Sequence, residues 1–148
     1  MLSRRTGVNK NKVIVFGVFD GLHKGHLSFL RQAKKYGDFL IVVVARDSAV
    51  LKLKNKKPLF NERERLKALG ELKEVDSILL GDRVQGTYNI IKKIKPAVIC
   101  LGHDQSLLGK DLRKKINGGL LPDVRLVKLK SHYHAKFSSS IINKANSH

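Results

Sequence analysis

The chain has one cysteine, no tryptophan, three prolines and only 12 acidic residues in 148. A lone cysteine excludes a disulfide framework or a cysteine zinc site within one chain. Cys100 lies in the apolar run Ala97-Val98-Ile99-Cys100-Leu101, where a core thiol is expected. No apolar run approaches the roughly 20 residues that span a bilayer, and Met1 to Gly7 carry charge without the apolar stretch of a secretion signal. The expectation is a cytoplasmic protein with no membrane partner. The scarcity of acid leaves a net charge of +18 from 30 lysines and arginines, a surface that attracts polyanions and steers small anions toward a cleft. The charges are dispersed, however: Arg31, Lys34 and Lys35 fit one exposed helix face, and Lys92, Lys93 and Lys95 another. With no zinc-finger spacing and no interleaved aromatics, nucleic acid enters only as a nonspecific, charge-driven contact.

A chain of this length suits one domain spanning 1–148, with a core over about 12–144 and polar tails. Val13 to Phe16 and Phe39 to Ala45 are continuous apolar runs, as in strands buried on both faces. Further strands are predicted at 77–80, 97–101 and 124–129. Helices are predicted from about His26 to Gly37, within 48–57, over 62–72, 87–94 and 106–116, and from the serines at 138–140. Asn61 followed by Glu64 marks a capping box. Alternating strands and helices imply an α/β, Rossmann-like, doubly wound five-stranded parallel sheet with helices on both faces. Ligands bind such sheets beyond the carboxyl ends of the strands.

At the first such end stands Gly17-Val18-Phe19-Asp20-Gly21-Leu22-His23-Lys24-Gly25-His26. It places two imidazoles three residues apart where a buried strand passes into a helix. Glycines let backbone amides approach an anion, and the helix start adds unpaired N–H groups and the positive end of its dipole. The segment therefore predicts a phosphate site built from Gly17, Val18, Phe19 and Asp20 with His23 and His26 as ring donors. The competing reading makes the histidines and glycines a helix cap alone.

This segment resembles the signature G-x-F-D-x-x-H-x-G-H of the cytidylyltransferase-like nucleotidyltransferase superfamily, and every fixed position is present. The resemblance covers residues 12–144. It implies transfer of a nucleotidyl group from a nucleoside triphosphate to a phosphorylated acceptor, with His23, His26 and Lys54 catalytic. It also implies that Lys56 binds phosphate, and a mobile loop carrying these lysines can close over the triphosphate. A solvated basic loop is the other reading of Lys52, Lys54, Lys56 and Lys57. Asp104 in Gly102-His103-Asp104-Gln105 matches an acidic residue near the nucleotide ribose, while an Asx turn would explain it too. Phe137, Ser138, Ser139 and Ser140 match a segment that holds nucleotide phosphates, and the serines would also cap a helix. Arg65, Lys73 and His103 are further candidates for the nucleotide site. Arg65 could instead form a surface ion pair with Glu62.

Within the superfamily the pattern is most similar to the archaeal-type FAD synthetases. It shares Val44-Ala45-Arg46-Asp47, Lys57-Pro58, Gly102-x-Asp104-Gln105 and the triple serine, and it has Lys73 and Tyr133 where the cytidylyltransferases keep arginines. The resemblance thus implies ATP and FMN as substrates and a magnesium ion held mainly by phosphates, with no certain protein ligand. Asp20 could reach that ion or fix the turn. The alternatives are CTP with glycerol 3-phosphate or another polyol or sugar phosphate and, in a different class, a basic nucleic-acid-binding protein that keeps the fold. Family members often dimerise, so a homodimer is admitted.

Overall fold

The computed structural model describes residues 11–131. Five strands form one sheet: β1 (Lys12–Gly17), β2 (Phe39–Val44), β3 (Ser77–Leu80), β4 (Val98–Leu101) and β5 (Arg125–Lys128). They are ordered β3-β2-β1-β4-β5, and every pairing is parallel. The winding order reverses between β1 and β4, which places the crevice for ligands beyond their carboxyl ends.

Alternation along the buried strands sorts side chains to two faces. On one, Val13, Val15, Leu40, Val42 and Cys100 pack with Leu30 and Ala33 of α1 (Lys24–Lys34) and Leu69 of α3 (Glu62–Gly70). On the other, Ile14, Ile41, Val43 and Ile99 pack with Ile91 of α4 (Asn89–Ile94) and Leu112 of α5 (Ser106–Asn117). The remaining helix, α2 (Asp47–Lys54), buries Val50. Burial pushes the Cys100 thiol up to about 12, so it stays protonated and serves as packing.

Two helix starts differ by two residues from the sequence expectation, each because of a cap. α1 begins at Lys24, ahead of His26, because His23 is its N-cap. α4 begins at Asn89, later than Thr87, because the Asp82 carboxylate accepts the amides of Asn89 and Ile90 and the Thr87 hydroxyl. Burial works against the Asp82 charge, but these bonds and nearby Lys92 outweigh it and hold the carboxyl below its ordinary range. The capping box predicted at Asn61 and Glu64 is present. The expected closing helix at 138–140 lies outside the described residues.

Candidate active site

Gly17 ends β1, and its lack of a side chain has a local cause. Phe19 has φ 54°, and its ring returns over Gly17 so closely that a Cβ there would sit 2.7 Å from it. Phe19 is buried and lies 5.4 Å from the His26 ring, centroid to centroid. The turn thus gives His26 an apolar wall.

Both histidines cap α1. Imidazole Nδ1 stands at about the reach of an asparagine Oδ1, so it can do the work of a usual N-cap acceptor. His23 Nδ1 accepts the Gly25 amide at 3.0 Å, and His26 Nδ1 accepts the His23 amide at 3.3 Å. An Nδ1 that accepts carries no proton, so each neutral ring holds its proton on Nε2. The rings stack, 3.9 Å apart and inclined by 25°. Burial lowers the His23 pKa and favours this uncharged form. Gly25 is required by the same geometry: a Cβ there would lie 2.9 Å from His23 Cε1. Capping and ligand binding are therefore not rivals, since the cap fixes the tautomer that leaves Nε2–H as the donor.

Three further turns meet this edge. After β4, the Gly102 amide donates to Gln105 Oε1 at 2.8 Å, and Gln105 Nε2 donates to the Phe16 carbonyl at 2.9 Å. Gln105, a residue without a sequence-predicted role, ties the β4 turn to β1. Asp104 does not close this turn as an Asx residue would; it is exposed, its carboxylate 3.2 Å from where a Gly102 Cβ would be. His103 is exposed in the same turn. After β2, Arg46 Nε donates to the Gly81 carbonyl beyond β3 at 2.7 Å. A cleft of about 310 Å³ opens there, with Arg46, Asp82 and Lys93 in its lining.

Arg65 corrects the sequence reading. It is 1% exposed, and its partner is Asp47 at 2.7 Å, not Glu62. It also donates to the carbonyls of Val18 (2.9 Å), Ala45 (2.8 Å) and Phe60 (2.9 Å). Its place on the inner face of α3 turns the guanidinium to the loop carbonyls, while Glu62 accepts the Asp47 amide at 2.7 Å. Arg65 thereby joins the ends of β1 and β2 to the start of α3. Asp20 joins the same region, its two oxygens accepting the amides of Leu59 at 2.7 Å and Phe60 at 2.9 Å.

Lys54 ends α2 and Lys56 follows in the next loop, both exposed at the side of the sheet where β2 ends. Lys73 is not brought to this edge. It lies in the turn before β3, beside Glu74, which pairs with Arg31 of the last turns of α1, and Asp76, which accepts the Leu40 amide at the start of β2. That is the amino edge of a parallel sheet, opposite the histidines. Phe137, Ser138, Ser139 and Ser140 lie outside the described residues. Among the described residues no three His, Cys, Asp or Glu side chains group into a metal cage, and no helix is long and apolar enough to cross a membrane.

Comparison with known proteins agrees with this geometry. The pattern of the cytidylyltransferase-like family matches residues 14–145. An FAD synthase of Pyrococcus abyssi is 40% identical over 91% of this chain and 93% of its own length. One from Thermoplasma acidophilum is 39% identical over 90% and 92%. Among solved structures, a lipopolysaccharide core biosynthesis protein of Thermoplasma volcanium superposes with a TM-score of 0.75 at 39% identity, over 83% of this chain and 98% of that one. The pantothenate synthetase of Thermus thermophilus, at 16% identity and a TM-score of 0.56 over 80% and 55%, shares the fold. The chain belongs to the cytidylyltransferase-like family of nucleotidyltransferases, on the branch of its FAD synthase relatives.

Proposed function

We propose that the protein is an FAD synthase, which transfers the adenylyl group of ATP to FMN and releases pyrophosphate. The observation that carries nucleotidyl transfer is the stacked, Nδ1-capped histidine pair at the β1 end, next to the switch in winding order. The choice of ATP and FMN is supported by the likeness to FAD synthases. The choice does not draw on Lys73, which stands in the turn before β3 at the amino edge of the sheet; Tyr133 lies outside the described residues.

A phosphate oxygen of FMN attacks the α-phosphorus of ATP, forming one P–O bond as the bond to the bridging oxygen of pyrophosphate breaks. FMN is already an anionic nucleophile, so no general base or covalent intermediate is required. Catalysis consists of positioning and charge stabilisation. The Nε2–H groups of His23 and His26 donate to charge on the reacting phosphate, beside the amides at the start of α1. Lys54 and Lys56 bind phosphates of the two reactants, and Asp104 faces the ribose. The cleft containing Arg46 and Lys93 is the concave space at this edge for the acceptor. A magnesium ion carried in on the triphosphate would neutralise its charge and need few protein ligands.

Purified protein with magnesium is offered ATP or CTP, each with FMN or glycerol 3-phosphate, and the products are separated. FAD from ATP and FMN is expected to dominate. A preference for CTP with glycerol 3-phosphate would overturn the proposal.

A further inference from the structure

We propose that Asp20 is a positioning residue: it latches the lysine-bearing loop after α2 to the histidine turn, so that the cations of one and the imidazoles of the other form a single fixed site. The inference rests on the reading of the site under Proposed function. It begins with Phe60, whose backbone is held on both sides. Its amide and that of Leu59 donate to the Asp20 carboxylate at 2.9 and 2.7 Å, and its carbonyl accepts from buried Arg65 at 2.9 Å. Its ring also lies 3.6 Å from where a Cβ on Gly21 would stand. Three separate contacts thus bind one loop residue to the turn or to the arginine behind it.

The loop has little else to hold it. Asn55 to Lys57, Leu59 and Phe60 are all exposed, and the loop leaves α2 through Asn55 at φ 57°. With one end on α2 and the other on Asp20 and Arg65, the segment carrying Lys56 and Lys57 is anchored at both ends.

The latch reaches the histidines through Phe19. A non-glycine residue at positive φ persists only where its surroundings fix it, and Phe19 is gripped from each side. The Val18 carbonyl before it accepts from Arg65 at 2.9 Å, and Asp20 after it is committed to the loop amides. The Phe19 ring meets His26. Loop, Asp20, Phe19 and His26 form one contiguous chain of contacts. A carboxylate has about four lone-pair sites, so the two amides do not by themselves bar a metal from Asp20; the test must separate the two roles.

Asp20→Asn keeps the shape but sets an NH2 group against one of the two amide donors. Asp76→Asn is the matched control, since Asp76 accepts the Leu40 amide at 2.8 Å at the other edge. Trypsin reads the loop directly through cleavage after Lys54, where the loop begins, and after Lys56, Lys57 being protected by Pro58. In Asp20→Asn this cleavage is expected to accelerate about tenfold or more, and kcat/KM for ATP to fall about tenfold, chiefly through KM, as for lost substrate positioning. The magnesium concentration for half-maximal rate is expected not to change. Asp76→Asn should match the parent in loop cleavage. Equal cleavage in Asp20→Asn and parent overturns the latch, as does equal acceleration in both variants. A shifted magnesium requirement with unchanged loop cleavage overturns it in favour of a metal ligand. Proteolysis needs no substrate, so it decides the latch even where the FAD synthase assay fails.

Discussion

At the residue scale the two histidines each carry a backbone acceptor and a donor on one ring, and substitution can separate these. His23→Asn keeps an N-cap acceptor and removes the Nε2–H. It is expected to leave thermal stability near that of the parent while turnover drops about 100-fold or more, the usual scale for a lost charge-stabilising donor. His23→Ala loses the cap as well, at about 1 kcal/mol. Near-normal turnover in His23→Asn would reduce the pair to a helix cap. The direction of the His23 shift gives a pH expectation. Above its ordinary value of 6.5 the ring is neutral folded or unfolded, and its contribution to stability is complete. Below 6.5 the unfolded chain takes up a proton that the folded ring resists, so stability declines as pH falls and levels off below the folded value. Protonation also removes the Nδ1 acceptor from Gly25. Thermal melts across pH 5 to 8 should therefore show this acid-side decline in the parent and lose it in His23→Asn.

At the element scale, the turns between strands and helices depend on Arg65 more than on any contact within one loop. Its removal, as in Arg65→Met, would leave the carbonyls of Val18, Ala45 and Phe60 without this donor and Asp47 without its partner. Buried unsatisfied groups cost about 1–3 kcal/mol each. Water can reach Asp47, whose side chain is 40% exposed, so a net loss of about 3 kcal/mol is expected in denaturant unfolding. A loss below about 1 kcal/mol would show that water replaces the arginine freely. Strands β1 and β2 were legible because burial on both faces leaves an uninterrupted apolar run. The histidine turn was legible because its glycines, phenylalanine and imidazoles answer local geometry. Arg65 was not, since helical periodicity next to Glu62 and Glu64 gives an arginine the look of a surface residue. Its partners are a carbonyl 47 positions away and another 20 away, and sequence spacing does not reveal such contacts. The placement of Lys73 follows from order along the chain: in a parallel sheet the turn before a strand, here Ser77–Leu80, lies at the amino edge, away from the ends where ligands bind.

For the whole molecule, the two helical layers differ in how their charges are matched. On the α1 and α3 side, Arg31 pairs with Glu74 and Lys34 with Asp76. On the α4 and α5 side, Lys92, Lys93, Lys110, Arg113 and Lys114 are exposed, and among the described residues Lys115 pairs with Asp111 at 2.9 Å. Asp111 also accepts the Tyr88 hydroxyl, which burial and that bond keep protonated. The excess of +18 therefore includes a basic layer away from the turns that carry the histidines. Such a layer offers phosphate contacts without a base-reading element, so duplex DNA is expected to bind without sequence preference. Its Kd should be in the range of about 10⁻⁴ to 10⁻⁶ M at physiological salt, weakening steeply as salt is added. Replacing Lys92, Lys110, Arg113 and Lys114 by glutamine should flatten that salt dependence and leave the rate of nucleotidyl transfer unchanged, since none of the four sits in the histidine turn or lines the cleft beside Arg46. Fluorescence anisotropy with two unrelated duplexes across a salt series measures both effects. Tight binding that distinguishes the duplexes and survives physiological salt would assign the charge to specific nucleic-acid recognition.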